Sequence, residues 1–408
     1  MMSNRANTFK MIAKTLTGFE NVLAGELTKL GAEKIRIVKR GVQFWGDKEM
    51  LYKVNYLCRA ALRIIMPIAV FKAHNENQLY EEVGKIDWTS FMGLDNTFAI
   101  DGITSYSNIT HSKYLALKTK DAIVDQFREK YGKRPNIDKD NPDFAINIRV
   151  FKDEATVSLD SSGESLHKRG YRVSTGPAPM NEVLAAGLVL ISGYDGSTDF
   201  IDPMCGSGTL PIEAALIAKN IPSGYFREDY SFKRWKDFDN ELWEKVKTDA
   251  EAEIRDIDRT IIGSDWSGRI LTVAKENVES AGLSNNISLR TSFFNDLERP
   301  GGNGIIVMNP PYGERIKTSD IMQLYKSIGD TLKNSYQGYQ AWIISSNLDA
   351  FKYIGLKPSR NMTIFNGPLE CRFACFDMYE GSKKTFAEKE KKTEERFKPS
   401  GKRRRKRI

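Results

Sequence analysis

Histidine is nearly missing from this chain, with three in 408 residues, and cysteine is scarce, with four. His74, His111 and His167 have no second ligand type at metal spacing, so no structural metal is expected. Of Cys58, Cys205, Cys371 and Cys375, only the last two are close, at a spacing that suits one face of a strand. That excludes a disulfide scaffold and a zinc site. No run of eighteen apolar residues occurs, which excludes an ordinary membrane-spanning helix. The start, MMSNRANTFKMIAKTLTG, lacks the apolar stretch and small-residue cleavage site of a secretion signal, so a cytoplasmic protein without membrane contact is expected. The sequence does not state an oligomeric order, and a monomer is assumed.

Hydrophobic residues make up 40% and aromatics 11%, enough for sizeable cores, and the length suits about two to four domains. The net charge of +8 is unevenly spread. Residues 382–408 hold 13 Lys and Arg against 4 Asp and Glu, residues 1–170 hold 26 against 21, and residues 171–381 hold 22 against 28. A basic tail and a basic N-terminal half suit a polyanion, because clustered cations release its counterions. A solvated, solubilising tail is the alternative reading, and so few apolar residues predict a tail disordered when free.

Along the chain, TLTGFENVLAGELTKLGAEKIRIVKRGVQFWG predicts strand, helix, strand, strand, with Gly31 ending the helix. A second helix is expected from about Met50 to Leu62, then a strand in IIMPIAVF. A helix, a strand, the long helix SKYLALKTKDAIVDQFREKYG and two strands follow as a second α+β unit. SSGESLHKRGYRVSTGPAPM has the composition of an inter-domain connection, and its Lys168, Arg169, Tyr171 and Arg172 are candidate RNA contacts, with Lys402, Arg403, Arg404 and Arg405 in the tail. From Asn181 short apolar strands alternate with helices and end in two close strands, which predicts a doubly wound parallel sheet with an antiparallel edge hairpin.

DPMCGSGT, Asp202 to Thr209, follows one such strand and opens a helix that has Pro211 in its first turn. Gly206 and Gly208 let the backbone approach a ligand, and Met204, Cys205, Ser207 and Thr209 share the turn. A dinucleotide fingerprint needs glycine where Pro211 stands, and Asp202 repels phosphate but suits an ammonium group. Asp265 and Asp296 sit near the ends of the next two strands, where ligands of such sheets bind. Asp265 is placed to accept ribose hydroxyls, Trp266 to pack on adenine and Asp296 to accept from the adenine amine.

NPPY, Asn309 to Tyr312, ends the strand GIIVM. Pro310 and Pro311 cannot extend a ladder, so backbone carbonyls turn outward. The Asn309 oxygen and Pro310 carbonyl suit the two hydrogens of an exocyclic amine, and Tyr312 suits stacking on an extruded base. No cysteine lies here, which argues against methylation at a pyrimidine carbon.

With TLTGFENVLAGEL, CRAALRI, HSKYLALKTKDAIVDQF, VSLDSSGESLHKRGYR, DPMCGSGTLPIEAA and NPPYGERI, residues 8–380 resemble the THUMP-domain RNA guanine-N2-methyltransferases, above all those of 23S rRNA. The resemblance implies a ferredoxin-like domain at 1–60, a THUMP RNA-binding domain at 61–165 and a Rossmann-like methyltransferase domain at 166–381, before the tail at 382–408. It implies S-adenosylmethionine as cofactor, 23S rRNA or its precursor as partner, and N2-methylguanosine as product. Some members carry a second methyltransferase domain, and a second activity is not expected here. The crossover at about 220–259 is long for its fold, and its FKRW is either an RNA contact or helix packing. NPPY alone leaves open a tRNA guanine-N2 or an adenine-N6 enzyme. A binding factor for ribosome assembly that keeps the fold without the activity is the reading from another class.

Overall fold

Alternation in the first strands sorts side chains to two faces: Met11 and Ala13 of β1 (Phe9–Lys14) are buried, and Lys10 and Lys14 are less so. In the computed structural model, residues 8–176, 179–313 and 318–379 are described. Helix α1 (Glu20–Lys29) and strands β2 (Glu33–Val38) and β3 (Gly41–Gly46) follow. The side chain of Asp47 caps α2 (Lys48–Leu57) by accepting from Met50 N at 2.9 Å. That helix stops short of Leu62 because Cys58 turns extended, with φ −67° and ψ 118°.

Next come β4 (Arg63–Lys72), α3 (Glu76–Gly84), α4 (Trp88–Phe91), β5 (Thr97–Ser105), α5 (Ser112–Tyr131), β6 (Asn136–Ile137), β7 (Phe144–Phe151) and β8 (Glu154–Asp160). β4 pairs with β1 on one side and β8 on the other, so the two expected α+β units share one eight-stranded sheet, β2-β3-β1-β4-β8-β7-β5-β6.

The rest builds α6 (Glu182–Ser192), β9 (Asp199–Asp202), α7 (Thr209–Ala218), α8 (Asn240–Glu251), β10 (Ile261–Asp265), α9 (Gly268–Ser280) and β11 (Ile287–Thr291). It ends with β12 (Gly304–Met308), α10 (Thr318–Ser335), β13 (Gln340–Ser345), α11 (Leu348–Phe351), β14 (Arg360–Asn366) and β15 (Leu369–Asp377). The second sheet runs β11-β10-β9-β12-β13-β15-β14. Its first five strands are parallel, and β15 runs antiparallel to both β13 and β14, as the late hairpin predicted. Both faces are covered, so DFID of β9 is buried throughout.

The expected inter-domain connection is not an exposed linker. Ser161, Ser162, Arg169 and Tyr171 are buried within it. Arg169 donates to the carbonyls of Leu166 (2.8 Å) and Arg59 (2.6 Å), and its Nε lies 3.5 Å from Glu213 on α7. Tyr171 donates to the same carboxylate at 3.0 Å, and Arg59 reaches the carbonyls of Leu216 and Ile221. Arg169 and Tyr171 therefore do not contact RNA: the buried charge of Glu213 draws them inside. Burial pushes the Glu213 carboxyl up and the Arg59 guanidinium down from their usual values, against the attraction between them. FKRW also turns inward. The Phe232 ring lies 4.7 Å from Tyr52 and 5.2 Å from Trp243, and Arg234 pairs with Asp143 at 2.9 Å. The long crossover thus fastens the two sheets together.

Arg169→Met leaves Glu213 short of a charge partner inside the protein and is expected to lower unfolding free energy by about 3–5 kcal/mol. Urea denaturation measures it, and a loss below about 1 kcal/mol contradicts the assignment.

Candidate cofactor and target-amine site

β9 lies between β10 and β12, so the loops leaving β9 and β12 part and leave a crevice at their carboxyl ends. The glycine turn fills one side. Gly206 and Gly208 hold φ of +52° and +83°, and a side chain on Gly208 would meet Ala274 of α9 at 3.3 Å. Cys205 N donates to Ser264 O at 2.8 Å, tying the turn to β10. Asp265, ending β10, accepts from Gly206 N (3.2 Å) and Ser267 N (3.0 Å). Asp202 accepts from Met204 N at 3.1 Å.

Burial raises both carboxyls above their ordinary range, Asp202 the more so, and for Asp202 the nearby Asp265 adds to the rise. Among the described residues no ion pair engages either acid. A buried and a half-buried carboxylate, both unpaired, fit a cationic ligand.

Arg172 is a correction to the expected phosphate contact. It donates to Ser207 Oγ (3.2 Å), Thr209 Oγ1 (2.9 Å), Met180 O (3.0 Å) and Glu182 (2.7 Å), because the buried Glu182 claims it, and so it braces the glycine turn. Asn277 of α9, which carries no local sequence signal, holds Val173 N, Ser174 N, Ser174 O and Ser207 O. Of the four connection residues only Lys168 is solvent-facing, and it pairs with Glu164. Lys402, Arg403, Arg404, Arg405 and the remaining tail lie outside the described residues.

Asn309 to Tyr312 fill the other side of the crevice. Tyr325 OH donates to Pro311 O (3.4 Å), and Asn347 Nδ2 to Tyr312 O (2.8 Å). No hydrogen bond among the described residues engages the Pro310 carbonyl. Tyr312 OH donates to Asn309 Oδ1 at 2.6 Å and accepts from Asn366 Nδ2 at 3.4 Å. The Tyr312 ring is half-buried, packing on the apolar core while it lines the cavity. Burial holds its phenol far above the usual value, which keeps it a donor. An amide oxygen has two lone pairs, so Asn309 retains one acceptor position.

These groups line one cavity of about 880 Å³ that holds Asp202, Met204, Cys205, Gly206, Ser207, Thr209, Asp265, Trp266 and the whole Asn309–Tyr312 turn. At its rim the exposed rings of Trp266 and Phe293 lie nearly parallel, 6° apart with centres separated by 6.5 Å. Asp296 is another correction of placement. The short 3-10 turn Phe294–Asp296 buries Phe294 and sends Asp296 to solvent, and Asn295 lines the cavity instead. Met180, Asn295, Asn366 and Leu369 belong to the site and were not legible in the sequence. Among the described residues no His, Cys, Asp and Glu cluster suits a metal, and no helix is long and apolar enough to cross a membrane.

A Rossmann-like sheet with this strand order, opening beside unpaired acids and an outward-turned Asn-Pro-Pro-Tyr, defines an S-adenosylmethionine-dependent methyltransferase. Residues 169–374 match the RMKL-like methyltransferase domain, 73–160 the THUMP domain and 10–65 the RlmL ferredoxin-like domain, and the chain belongs to the RMKL-like methyltransferase family. It is 37% identical to the "Putative RNA methyltransferase" of Synechocystis sp. PCC 6803, over 92% of this chain and 98% of that one. It is 40% identical to the ribosomal RNA large subunit methyltransferase K/L of Methylococcus capsulatus, over 88% of this chain but 50% of that longer protein. The crystal structure of SMU.472 complexed with SAH superposes with a TM-score of 0.84 at 30% identity, covering 92% and 99% of the two chains. A Listeria monocytogenes protein described as a predicted N6-adenine-specific DNA methylase superposes at 0.82 with 29% identity, covering 92% and 97%.

The raised Asp202 gives a signed prediction. The folded chain holds its proton more tightly than the unfolded chain does, so the stability this lends is present below the ordinary aspartate range and is lost as pH rises through the raised value. Asp202→Asn, which keeps the bond from Met204 N, is expected to raise the thermal midpoint at pH 8 by about 2–4 °C relative to its effect at pH 4. S-adenosylmethionine affinity is expected to fall, by calorimetry. An effect at pH 8 no more favourable than that at pH 4 contradicts the burial argument.

Proposed function

We propose that this chain forms N2-methylguanosine in the RNA of the large ribosomal subunit, 23S rRNA or its precursor, in the cytoplasm. The observation that carries the reading is the Pro310 carbonyl, without a protein donor among the described residues, next in sequence to an Asn309 oxygen held by Tyr312, in the same cavity as Asp202 and Asp265. S-adenosylmethionine supplies a methyl group made electrophilic by its sulfonium charge. Asp202 and Gly206 would hold its amino-acid end, Asp265 its ribose hydroxyls, and Trp266 with Phe293 its adenine.

An exocyclic amine is a poor nucleophile because its lone pair is delocalised into the ring. Asn309 Oδ1 and Pro310 O accept its two hydrogens and draw the nitrogen towards tetrahedral geometry. Positioning and fixed dipoles then account for most of the acceleration. The Tyr312 bond fixes the Asn309 amide so that it does not reorganise during reaction. Support for an rRNA substrate comes from the K/L relatives, of which this chain spans 50% and 54%, and from its THUMP match. The Listeria relative favours one second reading, adenine-N6 methylation, since the same acceptors suit either amine.

Labelled methyl transfer to unmodified large-subunit rRNA, small-subunit rRNA, tRNA and duplex DNA, with nucleoside analysis, decides. N2-methylguanosine confined to large-subunit rRNA is expected. Label in adenine supports the second reading, and label in tRNA contradicts the rRNA assignment.

A further inference from the structure

Helices α3 and α5 cover one face of the first sheet, and the face they leave open carries chemistry that methyl transfer does not use. Strand register places Ile103 of β5 beside Arg149 of β7, then Thr156 of β8 and Val70 of β4. One step along, Phe151 lies between Ser105 and Glu154. Val70, Ile103 and Phe151 are exposed, and Tyr106, just past β5, is 84% exposed. The Tyr106 ring stands edge-on to Phe151 at 5.9 Å. The Arg149 guanidinium and the Lys152 ammonium lie 5.3 Å and 5.6 Å from the Phe151 ring centre.

This corner is also held in costly backbone. Tyr106 has φ of 52°, a region that a bulky aromatic rarely enters, while Lys152 and Asp153, at 51° and 58°, form the ordinary two-residue turn between β7 and β8. Asp153 locks it by accepting from Asn108 N at 2.8 Å and Asn108 Nδ2 at 3.0 Å, and its own N–H donates to Ser107 Oγ at 3.0 Å. Outliers of this kind persist only where surrounding bonds over-determine them, and they cluster at functional positions. The acids nearby have partners, Asp153 with His74 (3.2 Å) and Glu154 with Lys72 (3.7 Å). Among the described residues Arg149 and Lys152 have no acidic partner. Rigid exposed rings under unpaired cations suit nucleobase faces joined by phosphates, since every base has a stacking face.

We propose that Tyr106, Phe151, Arg149 and Lys152 form a platform that stacks unpaired nucleotides of the RNA substrate, outside the cavity that holds the target amine. The proposal rests on the RNA reading above and adds a requirement on the substrate. Asp143, at the near end of β7, is gripped by the methyltransferase half through Ser231 (2.7 Å) and Arg234 (2.9 Å). Phe151 lies at the far end of that strand, about 25 Å on. An RNA that reaches from that contact to the platform must extend over about that distance.

The test is fluorescence anisotropy of a labelled single-stranded RNA with the full chain, alongside methyl-transfer kinetics on long RNA. Tyr106→Asn removes the ring but tolerates the left-handed backbone, and Tyr106→Trp keeps a stacking face. Asn is expected to weaken RNA binding about tenfold and to raise KM for long RNA with kcat and cofactor affinity unchanged. Trp is expected to bind within about twofold of the unaltered chain. Phe151→Ser guards against a local effect at Tyr106 and is expected to match Tyr106→Asn. If the unaltered chain binds RNA and the Asn and Ser variants bind equally well, the platform is overturned while the methyltransferase reading stands. If the unaltered chain neither binds nor methylates RNA, both are overturned.

Discussion

Parallel pairing of β9 with both β10 and β12 is the constraint on which the site depends. Phe200 and Val307 enter the core under α7, while Ile201 and Met308 enter the core under α10, so the chain leaves β9 and β12 towards opposite faces. The two loops cannot cover the gap between them, and a cavity opens at the strand ends. Asp202 closes one strand and Asn309 follows the other, so acids suited to a cation and acceptors suited to an amine arrive in one cavity without any long-range design of the loops. Catalysis by positioning needs that rigidity, because a small misplacement of either loop breaks the line of attack.

A second set of buried polar groups keeps this geometry attached to the first sheet. Arg59, Arg169, Tyr171 and Glu213 bind one another or adjoining carbonyls across the junction, and a few residues on, Arg172 and Asn277 hold the glycine turn itself. The segment between the sheets is therefore a structural wall of the cofactor site. Of its positive charges, those of Arg169 and Arg172 are committed to buried acids and carbonyls, and only Lys168 faces solvent.

The doubly wound sheet was legible because short apolar strands alternating with helices leave few other solutions, and NPPY was legible because two prolines after an apolar strand forbid its continuation. That Asp202 and Asp265 line the cavity was legible for a physical reason too: an acid at the end of an apolar strand stands out against its neighbours. Arg169, Tyr171 and Arg172 misled because composition reports charge and not partners, and their partners Glu213 and Glu182 lie on helices elsewhere in the chain. Asp296 faces solvent while its neighbour Asn295 lines the cavity because a 3-10 turn rotates side chains by a step that strand reasoning does not anticipate. Asn366 reaches Tyr312 across 54 residues, a contact that only the antiparallel edge hairpin creates. Exposure of Tyr106 and its left-handed backbone were equally invisible, since both depend on how a loop docks against the β7–β8 turn.

If Asn309 acts on the target amine, its loss slows methyl transfer and leaves cofactor binding and folding intact. Single-turnover methyl transfer to the preferred RNA, with cofactor affinity measured by calorimetry on the same preparation, tests it in the Asn309→Ala chain. A rate lowered by about 10²-fold or more with unchanged affinity for S-adenosylmethionine is expected. An undiminished rate, or a rate and cofactor affinity that fall together, would contradict it.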